Sequence, residues 1–227
     1  MNILALETTD RTGSVAVARD GEVLLEIGLA EDVRSAQSLA PGIRDLLARV
    51  AWQPADVDLV AVTVGPGSFT GLRIGVATAK AFAYAVGAEV LGIDTHEVLA
   101  LPCPPEVSRL HTVVDAQRGQ VAARRFRRGD SSGLIAQGGS ELTDLDAWLA
   151  SLAPGASVTG PMLSRIAAKI PANVHMLATE LWRPRAGSVA RLAYRQHRAG
   201  RRDDLWRLVP VYTRLSAAEE KARHRSG

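Results

Sequence analysis

The sequence predicts an α/β protein built on a mixed sheet, and three observations carry that expectation. Short apolar runs of strand length alternate with segments whose apolar residues recur at helical spacing. An Asp-Gly pair falls between two apolar runs, where a tight hairpin needs it. A proline-rich joint, ALPCPPEV, separates this first series from a second one that also opens with a strand, a small turn and a strand.

In chain order, NILALETT reads as a first strand, and SVAVARDGEVLLEIGL as two strands joined at Asp20-Gly21. Ala36, Leu39, Ala40, Ile43, Leu46, Leu47 and Val50 then recur at helical spacing, with Pro41 opening or kinking that helix. DVDLVAVTVG reads as a buried strand, Leu72 to Val86 as a helix and AEVLGI as a strand. The order β-β-β-α-β-α-β implies helices packed on a mixed sheet. Beyond the joint, LHTVVDA and QVAARRF are expected strands linked by QRG, with LIAQGG and ASVTG as further strands. LTDLDAWLASL, with Thr143 as its cap, MLSRIAAKI and SVARLAYRQHRAG are expected helices. The polar tail after PVYTRL is expected to be disordered. The domain division is therefore 1–102, carrying the first series, and 103–227, basic and ending in the flexible tail.

Composition narrows the function. Of 227 residues, 47% are hydrophobic and 22% charged, an ordinary globular balance. No apolar run is long enough to span a bilayer, and MNILALETTD has neither a basic leader nor a cleavage signal, so a cytoplasmic protein without membrane contact is expected. The single cysteine, Cys103, lies between prolines and reads as an incidental loop thiol. The net charge of +3 hides an asymmetry: through Ala100 there are seven Lys or Arg against 13 Asp or Glu, and the rest of the chain is strongly basic. Arg124, Arg125, Arg127 and Arg128 form the densest cluster and are candidate contacts for RNA or an acidic partner, although solvated charge is the blander reading.

The loop GPGSFTG follows a strand and hands the chain to a helix. Gly65 and Gly67 permit positive φ, Pro66 stiffens the turn, Ser68 lies within it, and Thr70 is the expected cap ahead of Gly71. Neither the P-loop nor the dinucleotide spacing is met, which argues against phosphate binding. In the helix, Gly71, Gly75, Ala79 and Ala83 form a stripe nearly without side chains, and few polar residues remain for a solvated face. A second helix, from another chain, is the expected occupant. Gly75→Leu should then block pairing while leaving the monomer folded.

ALETT, GPGSFTGLRIG, GIDTHEVLA and VVDAQRGQV, in this order and with PVYTR near the end, resemble the bacterial TsaB (YeaZ) family. The resemblance implies an actin-like fold of the sugar kinase, Hsp70 and actin superfamily, with two ribonuclease H-like halves. It implies a non-catalytic subunit with no cofactor of its own, ATP and Mg being used by the complex. The partner TsaD transfers threonylcarbamoyl to adenosine 37 of tRNAs reading ANN codons, and the pair recruits the ATPase TsaE. Contact with TsaD, or with a second copy when TsaD is absent, is expected through Leu39, Ile43 and Leu46 and through Leu72, Arg73, Gly75, Val76, Ala79 and Phe82. tRNA is expected to be met only within the complex.

The chemistry of the paralogue is thinned here. Its H-x-x-x-H metal pair is reduced to His96 with Ala100 four residues on, so His96 reads as solvated or capping. Glu7, Thr8 and Thr9 are vestigial nucleotide contacts: the turn lacks a lysine, Glu7 stands where Asp is more usual, and Gln120, Ala122 and Ala123 depart from the usual acidic and aromatic pattern. An autonomous actin-like ATPase or small-molecule kinase is the alternative. A metallopeptidase lacks both H-E-x-x-H and a second ligand for His96.

Overall fold

A computed structural model describes residues 1–29, 35–129 and 133–213 of the chain. Asp20 and Gly21, both at positive φ (51° and 84°), turn strand β2 (Ser14–Arg19) into β3 (Glu22–Gly28), as the Asp-Gly pair predicts. Strand β1 (Asn2–Glu7) pairs antiparallel with β2 and parallel with β4 (Leu59–Gly65), which pairs parallel with β5 (Glu89–Asp94). The resulting sheet runs β3-β2-β1-β4-β5. Helix α1 (Ser35–Arg49) runs through Pro41, and α2 (Phe69–Val86) ends on Gly87 at φ 71°.

Both faces of this sheet are buried, so its strands are almost continuously apolar. Leu4, Leu6, Val15, Val17, Val60 and Val62 meet α1 and α2, whereas Ile3, Ala5, Ala16, Leu59, Ala61 and Ile93 form the opposite core. That opposite core contains Val98 of α3 (Thr95–Ala100) and Ala186, Val189, Ala190 and Ala193 of the last described helix, α6 (Ala186–Arg198).

The second sheet repeats the arrangement of the first. Strand β6 (Arg109–Asp115) pairs antiparallel with β7 (Gln120–Arg128), which pairs with β8 (Leu134–Ala136) and, further along, with β9 (Glu141–Asp144). Strands β10 (Ser157–Thr159) and β11 (His175–Met176) continue in parallel from the other edge of β6, giving β11-β10-β6-β7-β8. Helices α4 (Leu145–Ala150) and α5 (Leu163–Ile166) cover its outer face over Val113, Val121 and Val158. Thr143 does not cap α4: it lies in β9 paired with Val121, and Asp144 takes the cap position. Two sheets with one strand order, each a meander extended by parallel strands, make the actin-like fold that the sequence resemblance implies.

Helix α6 (Ala186–Arg198) and residues 203–213 return to the first sheet, so the last stretch does not pack with the half to which a cut at residue 102 assigns it. Residues 204–213 form a strap along α2. Val211 donates its amide to Val64 O at 2.7 Å, Lys80 donates to Trp206 O and Leu208 O, and Tyr212 stacks on Phe69 at 4.6 Å. The expected disordered tail lies outside the described residues, from position 214 on.

Candidate functional site

The glycine loop grips its own chain. Gly65 (φ 132°) and Gly67 (φ 158°) flank Pro66, whose peptide bond with Gly65 is cis. A side chain at Gly65 would strike Val211 O of the strap, and one at Gly67 would strike Thr9. Ser68 donates its amide to Thr9 O at 2.8 Å, and Thr8 Oγ1 donates to Gly71 O at 2.8 Å. The helix is capped by Ser68, whose Oγ accepts from Gly71 N at 3.2 Å, and Thr70 lies exposed as its second residue. The two residues look interchangeable in sequence. The turn geometry selects Ser68.

The small-residue stripe faces inward. Gly71 and Gly75 sit against Thr8, and Val62 also lies within 3.3 Å of a Cβ built on Gly75. Leu72, Val76 and Ala79 are buried with them, as are Leu39 and Leu46 on α1. Seven of the expected pairing residues, Leu39, Ile43, Leu46, Leu72, Gly75, Val76 and Ala79, therefore pack within the molecule, against the apolar residues of β1 and β4. Gly75→Leu is accordingly expected to prevent folding, read as loss of the cooperative thermal transition, instead of selectively blocking association.

Arg73 and Phe82 are placed differently, and the buried Ile43 borders a groove beside Phe82. Arg73 is exposed, with its guanidinium 3.9 Å from the Phe69 ring centroid and bonded to the Tyr212 hydroxyl. Ile43 and Phe82 line an apolar groove of about 480 Å³ between α1 and α2, with Arg44, Leu47, Trp52, Thr78 and Ala81. None of the latter five was expected at the pairing surface, although Leu47 was read as part of the apolar spacing of α1. A helical projection of α1 could have found Ala40, Arg44 and Leu47 on one stripe.

The first turn is closed. Glu7 and Thr8 are fully buried and Thr9 nearly so. Thr9 donates its amide to Glu7 Oε1 at 2.6 Å and its hydroxyl to the same oxygen, while Glu7 Oε2 has no partner among the described residues. Burial, together with the nearby Asp10 and Glu26 carboxylates, pushes the Glu7 carboxyl up to about 8, above the opposing effect of the Thr9 bonds. Arg183 reaches across to the Thr12 hydroxyl at 3.0 Å and to Asp10 at 3.7 Å. The hydroxyls expected as vestigial nucleotide contacts are thus engaged internally, and the carboxyl beside them is held neutral.

His96 is neither solvated nor capping. It is fully buried, with Nδ1 2.8 Å from Thr112 Oγ1 and Nε2 2.9 Å from Ser140 Oγ. Thr112 directs its own hydroxyl toward Arg124 O, which leaves Nδ1–H as donor and Nε2 as acceptor. Burial and, after it, the Arg124 charge push this imidazole down to about 3, so it remains neutral. The residues present do not fit the paralogue's metal pair: both ring nitrogens are occupied, and no three His, Cys, Asp or Glu side chains gather as a ligand set among the described residues.

The arginine run is split by strand alternation. Arg124 turns between the halves, where it meets Asp94 at 3.4 Å and Glu97 at 3.9 Å and bonds Gly138 O. Burial raises both carboxyls, with the Arg124 charge opposing it. Arg128 holds Val107 O and Pro104 O. Arg125 and Arg127 point to solvent on the other face. Arg124→Ala is expected to cost about 2 kcal/mol of stability by leaving those carboxylates without their cation, measurable by urea unfolding.

The fold and this closed arrangement of side chains define a two-halved actin-like protein whose first turn is sealed. The chain belongs to the TsaD family, described as tRNA N6-adenosine threonylcarbamoyltransferase, which matches residues 32–169. It is 27% identical over 231 residues, 97% of each chain, to the tRNA threonylcarbamoyladenosine biosynthesis protein TsaB of Bacillus subtilis. It is 30% identical over 133 residues to the TsaB of Escherichia coli, covering 58% of this chain and 57% of that one. YeaZ from Pseudomonas aeruginosa shares the fold, with a TM-score of 0.78 at 24% identity over 93% of this chain and 99% of that one. The TsaB/YeaZ resemblance read from ALETT and GPGSFTGLRIG is borne out. Among the described residues no helix is long and apolar enough to cross a membrane.

Proposed function

We propose that this chain is a non-catalytic pairing subunit that docks on TsaD through the groove between α1 and α2. Its family membership puts it in tRNA threonylcarbamoyladenosine biosynthesis. The observation that carries the pairing role is the groove itself. It is apolar, lies on the sheet face opposite α6, and is lined by Ile43, Leu47, Trp52, Ala81 and Phe82 with the Arg44 charge at its edge. The exposed Ala40, Ala48 and Ala81 let a partner helix approach closely, and the half-buried Phe82 ring supplies apolar area of the kind that anchors interfaces.

The absence of catalysis is part of the same proposal. It is supported by the engaged hydroxyls of Thr8 and Thr9, the neutral Glu7 and the doubly bonded His96. ATP and Mg then belong to the complex and not to this chain, TsaE joins the assembled pair, and the same groove holds a second copy when TsaD is absent. Gel filtration with light scattering tests this. The chain alone should run as a dimer, and addition of TsaD should convert it to a heterodimer. Two separate species in the mixture contradict the pairing role. Calorimetric binding of Mg-ATP by the isolated chain would favour an actin-like ATPase instead.

A further inference from the structure

The outer face of the second sheet is only half covered. Cross-strand partners share a face, and β6 and β7 place Arg109 opposite Arg127 and His111 opposite Arg125, on the same side as Val113 and Ala123. Helices α4 and α5 cover the Val113 end. At the other end Arg109, Arg125 and Arg127 are exposed, and a depression of about 510 Å³ opens beside Ser108, Arg109, Arg127 and Arg128.

We propose that this sheet face is a docking surface for the phosphodiester backbone of RNA, with Arg109 and Arg127 as its central contacts. The proposal rests on the reading above that the chain works on tRNA within a complex, and it changes the set of arginines that the sequence nominated. Arg124 and Arg128 hold carboxylates and carbonyls inside the protein, while Arg109, outside the RRFRR run, joins Arg125 and Arg127.

Like charges directly opposite one another on a sheet destabilise it, and Arg109 and Arg127 stand in that relation without a carboxylate paired to either among the described residues. Among the described residues the Arg109 side chain is tethered only to Pro154 O, and the Arg127 side chain makes no hydrogen bond or ion pair. Arg125 is partly neutralised by Glu141 at 3.2 Å. His111 is held below its ordinary range by burial and then by the Arg125 and Arg109 charges, so it adds no compensating chemistry. An unpaired, planar, multi-donor cation pair beside a shallow depression suits a phosphate, which accepts several hydrogen bonds at once. No aromatic ring lies on this face among the residues named, so the contact would position RNA without reading bases.

The test is RNA binding by the double variant Arg109→Gln/Arg127→Gln, measured by fluorescence anisotropy with tRNA across a salt series, for the full chain alone and mixed with TsaD. Binding should weaken on the order of tenfold near physiological salt, and the slope of log affinity against log salt should shrink by about two, one for each lost phosphate contact. The variant's melting temperature should hold or rise, since a repulsive pair is removed. An unchanged salt slope with the protein folded overturns the proposal. So does weakened association with TsaD at an unchanged slope, which would assign the face to an acidic protein surface. If the chain fails to bind TsaD at all, the pairing role falls, and the slope measured on the chain alone still decides the RNA face.

Discussion

Ala81→Arg is expected to leave the chain folded and to abolish its association with TsaD, reducing tRNA threonylcarbamoylation at least a hundredfold at micromolar protein. Ala81 is exposed on α2 and lines the apolar groove, so a longer side chain there meets solvent in the monomer. In a complex the new guanidinium would be buried beside Arg44, without a carboxylate partner among the groove residues. Uncompensated burial of a charge at an interface costs several kcal/mol, and about 3 kcal/mol is already a hundredfold in affinity. Circular dichroism should show an unchanged melting curve, and gel filtration should show separate components. Arg73→Ala, at the strap edge of the same helix, should have a much smaller effect on pairing, because Arg73 is engaged with Phe69 and Tyr212.

Glu7→Gln is expected to stabilise the protein at pH 8 by about 2 kcal/mol and to flatten its stability between pH 5 and pH 8. The sign follows from linkage. The unfolded carboxyl titrates at its ordinary value of 4.5, whereas the folded one holds its proton up to about 8. Across that window the native state binds more protons than the unfolded state, so stability falls as pH rises, by up to about 1.4 kcal/mol per unit, and levels off above the folded value. Glutamine carries no proton to lose and keeps an oxygen for the two Thr9 donors. Urea unfolding at several pH values reads the effect. A less stable variant with a flat profile would show that Glu7 is ionised and held by a cation. Threonylcarbamoylation should be insensitive to this substitution if the first turn binds no nucleotide.

Much of the fold was legible because local chemistry agrees with the tertiary structure. Asp20-Gly21 specified a hairpin, and the doubly buried strands announced themselves as continuous apolar runs. The repeated opening of the two halves foreshadowed the matching strand orders. What the sequence could not show was which body an apolar stripe meets. Gly71 and Gly75 require a close neighbour, and only the tertiary structure reveals that the neighbour is Thr8, just past the end of β1, and not another chain. Burial of His96 was hidden for the same reason, since its partners Thr112 and Ser140 are distant in sequence. The return of 186–213 to the first sheet left no local signal, because α6 is amphipathic wherever it packs. The split of RRFRR, by contrast, was available in the alternation of β7: Val121, Ala123, Arg125 and Arg127 share one face and Ala122, Arg124 and Phe126 the other.

The measurement that bears most directly on the pairing role is tRNA threonylcarbamoylation reconstituted from TsaD, TsaE and the adenylate-forming enzyme of the same cell, with and without this chain, read by nucleoside mass spectrometry. Modified adenosine should form only when the chain is present, and the Ala81→Arg variant should behave as though the chain had been left out. Modification at the same rate in its absence would contradict the account.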